Sequence, residues 1–120
     1  MWSGLNRRKF PRVHYKCVIR MRKKSSAKTI STCTENLSVG GICVIVKEDL
    51  GLFHGVDLEL DLEDGAPANI KCSGTVVWVV KKSDPQEKGA LRYDTGIEFV
   101  DAKESDRSRL SKIVEGHLKK

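Results

Sequence analysis

The chain has 120 residues, of which 39% are hydrophobic, and it carries a formal net charge of +6 at pH 7. This length can build one modest hydrophobic core without disulfides or a structural metal, so we expect a single domain over residues 1–120. No segment approaches the roughly 18 consecutive apolar residues of a membrane span, and the N-terminus lacks the apolar core of a signal peptide, so we expect a cytoplasmic protein.

The first half of the chain predicts an arm followed by three strands. Residues 1–14 are expected to form a flexible arm, because Pro11 keeps this stretch out of a regular helix. Residues 15–22 alternate apolar and polar side chains with a period of two, which predicts a strand with one face toward the core. Two further strands, at residues 29–36 and 41–47, are joined tightly enough to form a hairpin-like pair.

The second half predicts three more strands. Residues 56–63 alternate apolar with acidic side chains and end at an Asp-Gly turn signal. Residues 68–81 predict a long strand with a bend or bulge at Gly74 and one face made of six residues, namely Ile70, Cys72, Gly74, Val76, Trp78 and Val80. After a polar loop at residues 83–89, residues 93–99 predict the last strand.

A helix is predicted at residues 101–120. Asp101 and Glu104 have the spacing of a capping box, and apolar residues follow at helical spacing, namely Leu110, Ile113, Val114 and Leu118. Six short strands over residues 15–100 with no βαβ alternation indicate an all-β fold. We therefore predict a six-stranded antiparallel β-barrel plus one C-terminal α-helix.

Charge and cysteine usage narrow the functional classes. Residues 1–34 contain ten Lys or Arg and no acid, whereas residues 35–66 contain eight acids and one Lys, so an anionic partner is expected at the N-terminal segment. The four cysteines have irregular spacing and no neighbouring histidine. They are expected to be reduced and largely buried, with no metal site: Cys17, Cys33, Cys43 and Cys72.

Two short motifs together suggest a site for guanine and phosphate. Arg8 and Arg12, with Arg7 beside them, supply planar forks that can donate two hydrogen bonds to guanine and can stack on a base. The second motif supplies an amide, a hydroxyl and two glycines that let a ligand approach the backbone: Asn36, Ser38, Gly40 and Gly41. Either motif alone is also consistent with a basic tail or an ordinary turn.

In combination the motifs resemble the PilZ domain family. The family's RxxxR segment matches Arg8 and Arg12, and its (D/N)xSxxG segment matches Asn36, Ser38 and Gly41. The stretches 74–78 and 93–99 follow in the expected order, so the resemblance covers about residues 6–118.

The resemblance implies a stand-alone bacterial receptor for the second messenger cyclic di-GMP, with the ligand bound on the barrel surface by the residues of both motifs. It also implies that an arginine at position 7 favours two ligand molecules per domain and that Trp78 is a candidate to flank the ligand, although a core position suits Trp78 equally. We expect the ligand to order the arm and change the surface that an unidentified downstream protein contacts, with no other cofactor.

Other functional classes fit less well. The sequence has no P-loop, GxSxG, HExxH or cysteine with a motif-placed histidine, so catalysis is not expected. One alternative is a PilZ-fold adaptor that acts through protein contacts without a ligand, and a less favoured one is a small basic barrel that binds nucleic acid. The seven aromatic residues argue against nucleic acid, because most of them occupy apparent core positions.

Overall fold

A computed structural model describes residues 12–26, 28–62 and 69–118. Within these residues it contains seven strands and one helix: β1 (Val13–His14), β2 (Val18–Lys23), β3 (Thr29–Leu37), β4 (Gly41–Val46), β5 (Gly55–Asp61), β6 (Ile70–Ser83), β7 (Leu91–Phe99) and α1 (Glu104–Leu118). No helix in this part of the chain has the length and apolar character needed to cross a membrane.

Six of the strands form a closed antiparallel barrel. Their hydrogen-bonded order is β3-β2-β5-β6-β7-β4, and β4 pairs with β3 again to complete the circle. The inward faces supply the core, in which the fully buried side chains include Ile19, Leu60, Val76 and Ile97. The predicted fold, a six-stranded barrel with one C-terminal helix, is confirmed.

Strand β3 pairs with different strands along its length. Its first half pairs with β2, whereas Asn36 and Leu37 pair with β1 on one side and with β4 on the other. Residues 15–17 lie between β1 and β2 and form no ladder. The buried Thr34 hydroxyl spans this break, because it donates to the Tyr15 carbonyl at 2.7 Å and accepts from the Cys17 amide at 3.0 Å. The strand predicted over residues 15–22 therefore begins only at Val18, and residues 13–14, predicted to belong to the flexible arm, form a strand of their own.

Strand β6 contains a bulge that reverses its faces. The register against β7 shifts between Val76 and Trp78, so two residues on β6 occupy the space of one. After the bulge Val79 packs against the core and Val80 is exposed. The expectation that Val80 and Trp78 share the inward face of Val76 is therefore wrong. The bulge is also not at Gly74, which is buried close to Ile97.

Helix α1 packs on the barrel through Leu110 and Val114, both buried, with Ile113 partly buried beside them, whereas Leu118 of the predicted apolar set is exposed. The predicted capping box is wrong, because the Asp101 carboxylate accepts a hydrogen bond from the Ser73 amide of β6 at 2.6 Å. The first helical bond instead runs from the Arg107 amide to the Lys103 carbonyl. Asp101 thus ties the segment before the helix to the barrel.

The cysteines are free, but their burial differs from the expectation. Cys17 is buried and Cys43 and Cys72 are partly buried, whereas Cys33 is exposed on β3. The error arises because β3 alternates, and the buried position beside Cys33 belongs to Thr34.

Substitution of Gly41 tests how closely β4 approaches β7 where the barrel closes. A Cβ atom on Gly41 would lie 2.3 Å from the Ile97 carbonyl oxygen, which belongs to the backbone of β7 and cannot move independently. We expect Gly41→Ala to lower the free energy of unfolding by about 1–3 kcal/mol, the usual cost of overpacking, as measured by urea denaturation.

Gly116→Ala is the matched control. Gly116 lies in α1 and a Cβ atom there would meet nothing within 4 Å, so this change should stabilise the protein by up to about 1 kcal/mol through helix propensity. Equal stability of Gly41→Ala and the unmodified protein would show that β4 does not approach β7 this closely.

Candidate ligand-binding surface

Five residues from five strands form one row across the outside of the barrel. The strand register pairs them in sequence, from β1 through β3, β4 and β7 to β6. We call them the cross-strand row: His14, Asn36, Cys43, Gly96 and Trp78. Neighbouring strands are about 4.8 Å apart, so the row extends about 14 Å from Asn36 to Trp78.

The burial of sequence neighbours shows that the row faces outward. Successive side chains on a strand point to opposite faces. Core residues flank Cys43 on β4, namely Ile42 and Val44, and flank Gly96 on β7, namely Thr95 and Ile97. The row therefore lies on the outer surface, across four neighbouring strands of the barrel.

The Trp78 indole lies over Gly96. A Cβ atom on Gly96 would be 2.1 Å from the indole Nε1 and 2.2 Å from its Cε2, so the absence of a side chain on Gly96 makes room for the ring. This contact covers Gly96 and leaves Trp78 partly exposed. Of the two positions that the sequence left open for Trp78, the structure shows the outer surface and not the core.

The Ser38 hydroxyl organises the turn between β3 and β4. It accepts hydrogen bonds from the amides of Gly40 and Gly41, at 3.2 and 3.0 Å, and donates to the Gly41 carbonyl at 3.2 Å. The Gly40 carbonyl in turn accepts from the Phe99 amide at 2.9 Å. The Ser-x-Gly-Gly part of the motif therefore has a structural function in this protein, since it shapes the turn beside Asn36.

Asn36 is available for an external partner. It lies after the register irregularity between Thr34 and Asn36, where both Glu35 and Asn36 are partly exposed. Its side-chain amide makes no hydrogen bond with the described residues. The amide presents one acceptor and two donors at the edge of the row.

Of the three arginines predicted to bind the ligand, the structure describes one. Arg7 and Arg8 lie outside the described residues. Arg12 is exposed directly before β1, and its charge acts on the thiol of Cys43. Burial raises the pKa of Cys43 and the Asp94 carboxylate raises it further, whereas the Arg12 guanidinium lowers it. Arg12 comes two residues before His14, the β1 member of the row, so the strand pairing places it beside the β1 end of the row.

Asp94 is a candidate residue that the sequence analysis did not identify. Its side chain is 15% exposed and forms ion pairs with Lys82 at 2.8 Å and with Arg92 at 3.5 Å. The two atoms of the longer pair, Asp94 Oδ1 and Arg92 Nε, are inaccessible to solvent, and neither makes a hydrogen bond with the part of the chain that the structure describes. The period-two pattern could have indicated this position, because it places Asp94 on the same face as Gly96.

Three basic residues on or directly after β2 form ion pairs with acids of β5. Arg20 pairs with Glu59 at 2.9 Å, and Asp57 accepts from Lys24 and Arg22 at 2.7 and 3.2 Å. Hydrogen bonds from Lys24 and Arg22 hold the pKa of Asp57 below its usual value. The charge asymmetry of the sequence is thus partly a cross-strand pairing between β2 and β5. The paired charges of Arg20, Arg22 and Lys24 therefore do not form an open cationic surface for an anionic ligand.

Comparison with protein families gives one match. The model of the PilZ domain family matches residues 6–116. No curated protein matches the chain.

Several solved structures have a similar fold. They include the Bacillus subtilis inhibitor of motility MotI/DgrA (20% identity, TM-score 0.71, covering 89% of this chain and 49% of that one) and MrkH of K. pneumonia (18%, 0.73, 89% and 47%). The PilZ domain of YcgR from Escherichia coli, solved with c-di-GMP, is 13% identical with a TM-score of 0.70, covering 94% of this chain and 92% of that one. The chain spans about half the length of MotI/DgrA and MrkH.

The pKa of Cys43 tests the position of Arg12. Thiolates react with iodoacetamide and thiols do not, so the rate of Cys43 alkylation should reach its half-maximum above the ordinary thiol value of 9.0. Arg12→Ala removes a nearby positive charge and should move this midpoint to still higher pH, as followed by mass spectrometry of the Cys43 peptide.

Arg20→Ala is the control, because Arg20 pairs with Glu59 on β5 and does not act on Cys43. An Arg12→Ala midpoint that coincides with that of Arg20→Ala would place Arg12 away from the row.

Proposed function

Since the chain belongs to the PilZ domain family, we propose that it is a receptor for cyclic di-GMP and that the ligand lies across the cross-strand row. One observation carries the proposal. The two motifs, 24 positions apart between Arg12 and Asn36, meet where β1 pairs with β3, because His14, two residues after Arg12, is the partner of Asn36. The charge of Arg12 also lowers the pKa of Cys43, the partner of Asn36 on β4. The similar PilZ domain of YcgR was solved with this ligand.

The row and the arginines suit the two chemical parts of a cyclic dinucleotide. Arginine forks bind phosphate oxygens and the O6 and N7 atoms of guanine in pairs, which is the role we propose for Arg8 and Arg12. The Asn36 amide oxygen can accept from the N–H edge of a guanine. At the other end of the row, the exposed part of the Trp78 indole provides an aromatic surface for a base.

Ser38, Gly40 and Gly41 contribute mainly through the turn. All the hydrogen bonds found for the Ser38 hydroxyl stay within residues 38–41, and Gly41 packs on the β7 backbone. We propose that these residues hold the backbone of the turn in the position that a bound nucleotide requires. Their substitution would then weaken binding by moving Asn36.

The ligand is proposed to act by ordering the part of the arm that precedes β1, residues 6–12, against the barrel. This segment leads into β1, and the residue after β1, Tyr15, meets the ring of His117 in α1 edge-on, with centroids 5.1 Å apart. The Tyr15 hydroxyl also donates to the Leu62 carbonyl. A ligand that fixes the arm would therefore act on the segment that contacts the helix. We propose that a downstream protein recognises this altered surface, and that the protein senses its ligand without catalysis.

The arginine motif makes the sharpest test of binding. Isothermal titration with cyclic di-GMP should give saturable heat, and Arg8→Ala and Arg12→Ala should each weaken binding by about 1.5–3 kcal/mol, or about 10- to 150-fold, because each removes a charged hydrogen bond. An excess of GTP should not compete.

Arg22→Ala is the matched control, since Arg22 is also exposed but pairs with Asp57 on β5. The affinity of Arg22→Ala for cyclic di-GMP should equal that of the unmodified protein. The same titrations report the stoichiometry, which we propose to be two ligand molecules per chain and one after Arg7→Ala. No heat with the unmodified protein would overturn the proposed function.

Ordering of the arm can be measured by hydrogen exchange. Peptides from residues 6–12 should gain protection when cyclic di-GMP is added, because ordering forms new backbone hydrogen bonds and excludes water. Peptides from β5, which is paired with β2 and β6 and supplies no residue to the row, provide an internal reference. Equal protection of the arm with and without ligand would exclude this switch.

A further inference from the structure

We propose that Cys43 is a ligand-contact residue and that its small side chain forms the floor on which a guanine of cyclic di-GMP lies. The inference rests on the proposed function and adds a residue that belongs to neither arginine nor (D/N)xSxxG motif. It also proposes that the small size of the Cys43 side chain decides whether the ligand fits.

Strand order places Cys43 between the two ends of the row. Asn36 pairs with Cys43, Cys43 pairs with Gly96, and Gly96 pairs with Trp78. A ligand that contacts both Asn36 and Trp78 must therefore pass over β4 and β7. On β7 the surface at this level is Gly96, which the indole already covers. On β4 it is the side chain of Cys43.

The surroundings of Cys43 combine a flat floor with charged sides. The residue is partly buried, although the alternation of β4 faces it outward between the buried Ile42 and Val44. Its electrostatic neighbours are two acids and two bases, namely Asp94, Glu35, Arg12 and Lys82. A purine has an apolar face and a polar edge. The thiol suits the face, since it is small and only a weak hydrogen-bond donor, and the charged groups around it suit the edge.

Size is the property that matters at this position. A thiol leaves the backbone of β4 close enough for a base to lie against the sheet. An aromatic ring at position 43 would stand in the space between Asn36 and the indole of Trp78 and would hold the ligand off the strand. Serine has nearly the volume of cysteine and would leave the floor in place.

The first experiment compares three variants by titration with cyclic di-GMP. Cys43→Phe should weaken binding about tenfold or more, as expected when added volume cannot be accommodated, and Cys43→Ser should stay within about threefold of the unmodified protein. Cys33→Phe is the matched control, because Cys33 is exposed on the neighbouring strand β3 but is not in the row. Its affinity should not change.

The second experiment uses the unmodified chain and does not depend on how any variant folds. N-ethylmaleimide modification is mapped at each cysteine by mass spectrometry, with and without saturating cyclic di-GMP. Ligand should slow modification of Cys43 at least about fivefold, since the base covers the thiol, and should leave the exposed Cys33 unaffected. Burial raises the pKa of Cys72 to about 11, so its slow reaction gives a further reference.

The outcomes separate this inference from the proposed function. Absence of cyclic di-GMP binding to the unmodified protein would overturn both. If cyclic di-GMP binds but neither slows Cys43 modification nor binds Cys43→Phe more weakly, the proposed contact at Cys43 is wrong. The proposed receptor function would then remain in place. Protection of Cys43 together with weak binding of Cys43→Phe supports the inference.

Discussion

The structure depends on the close approach of β4 to β7 at Gly41. The missing side chain lets the β4 backbone lie against the Ile97 carbonyl, and the Ser38 hydroxyl binds the amides of the turn that leads into it. The Gly40 carbonyl then accepts from the Phe99 amide, so the turn is attached to β7 as well as to β3. Closure of the barrel and the shape of the turn thus depend on the same contacts at Gly40 and Gly41. A side chain at Gly41 would disturb both.

This closure creates a surface that no single strand contains. Because β3, β4, β7 and β6 become neighbours in register, Asn36, Cys43 and Trp78 lie on one line although they are far apart in the chain. On the other side of the barrel, β2 and β5 neutralise each other through pairs such as Arg20 with Glu59. What distinguishes the row among the described residues is therefore the charge of Arg12 beside a surface of small and aromatic side chains.

The errors of the sequence analysis have a common cause. Alternation placed Val80 inside, but the bulge after Val76 moves Val79 to the core, and a bulge is decided by how two strands pair and not by either strand alone. Asp101 had the spacing of a helix cap, but the Ser73 amide on a distant strand takes its carboxylate. Likewise, the sequence did not identify Asp94 as a candidate, because its ion pairs form only when Lys82 and Arg92 lie beside it. Each error concerns a contact between residues remote in sequence.

The sequence alone determined the class of fold and the family, because period-two alternation, a terminal amphipathic helix and two spaced motifs are local properties of the chain. It also identified Arg12 and Asn36 as candidate residues by their chemistry. The tertiary structure decided which face Trp78 occupies, that Ser38 and Gly41 shape the turn, and that Cys43 lies between the two ends of the row. The physical reason is that cross-strand register depends on closure of the whole barrel, and register alone determines which side chains become neighbours.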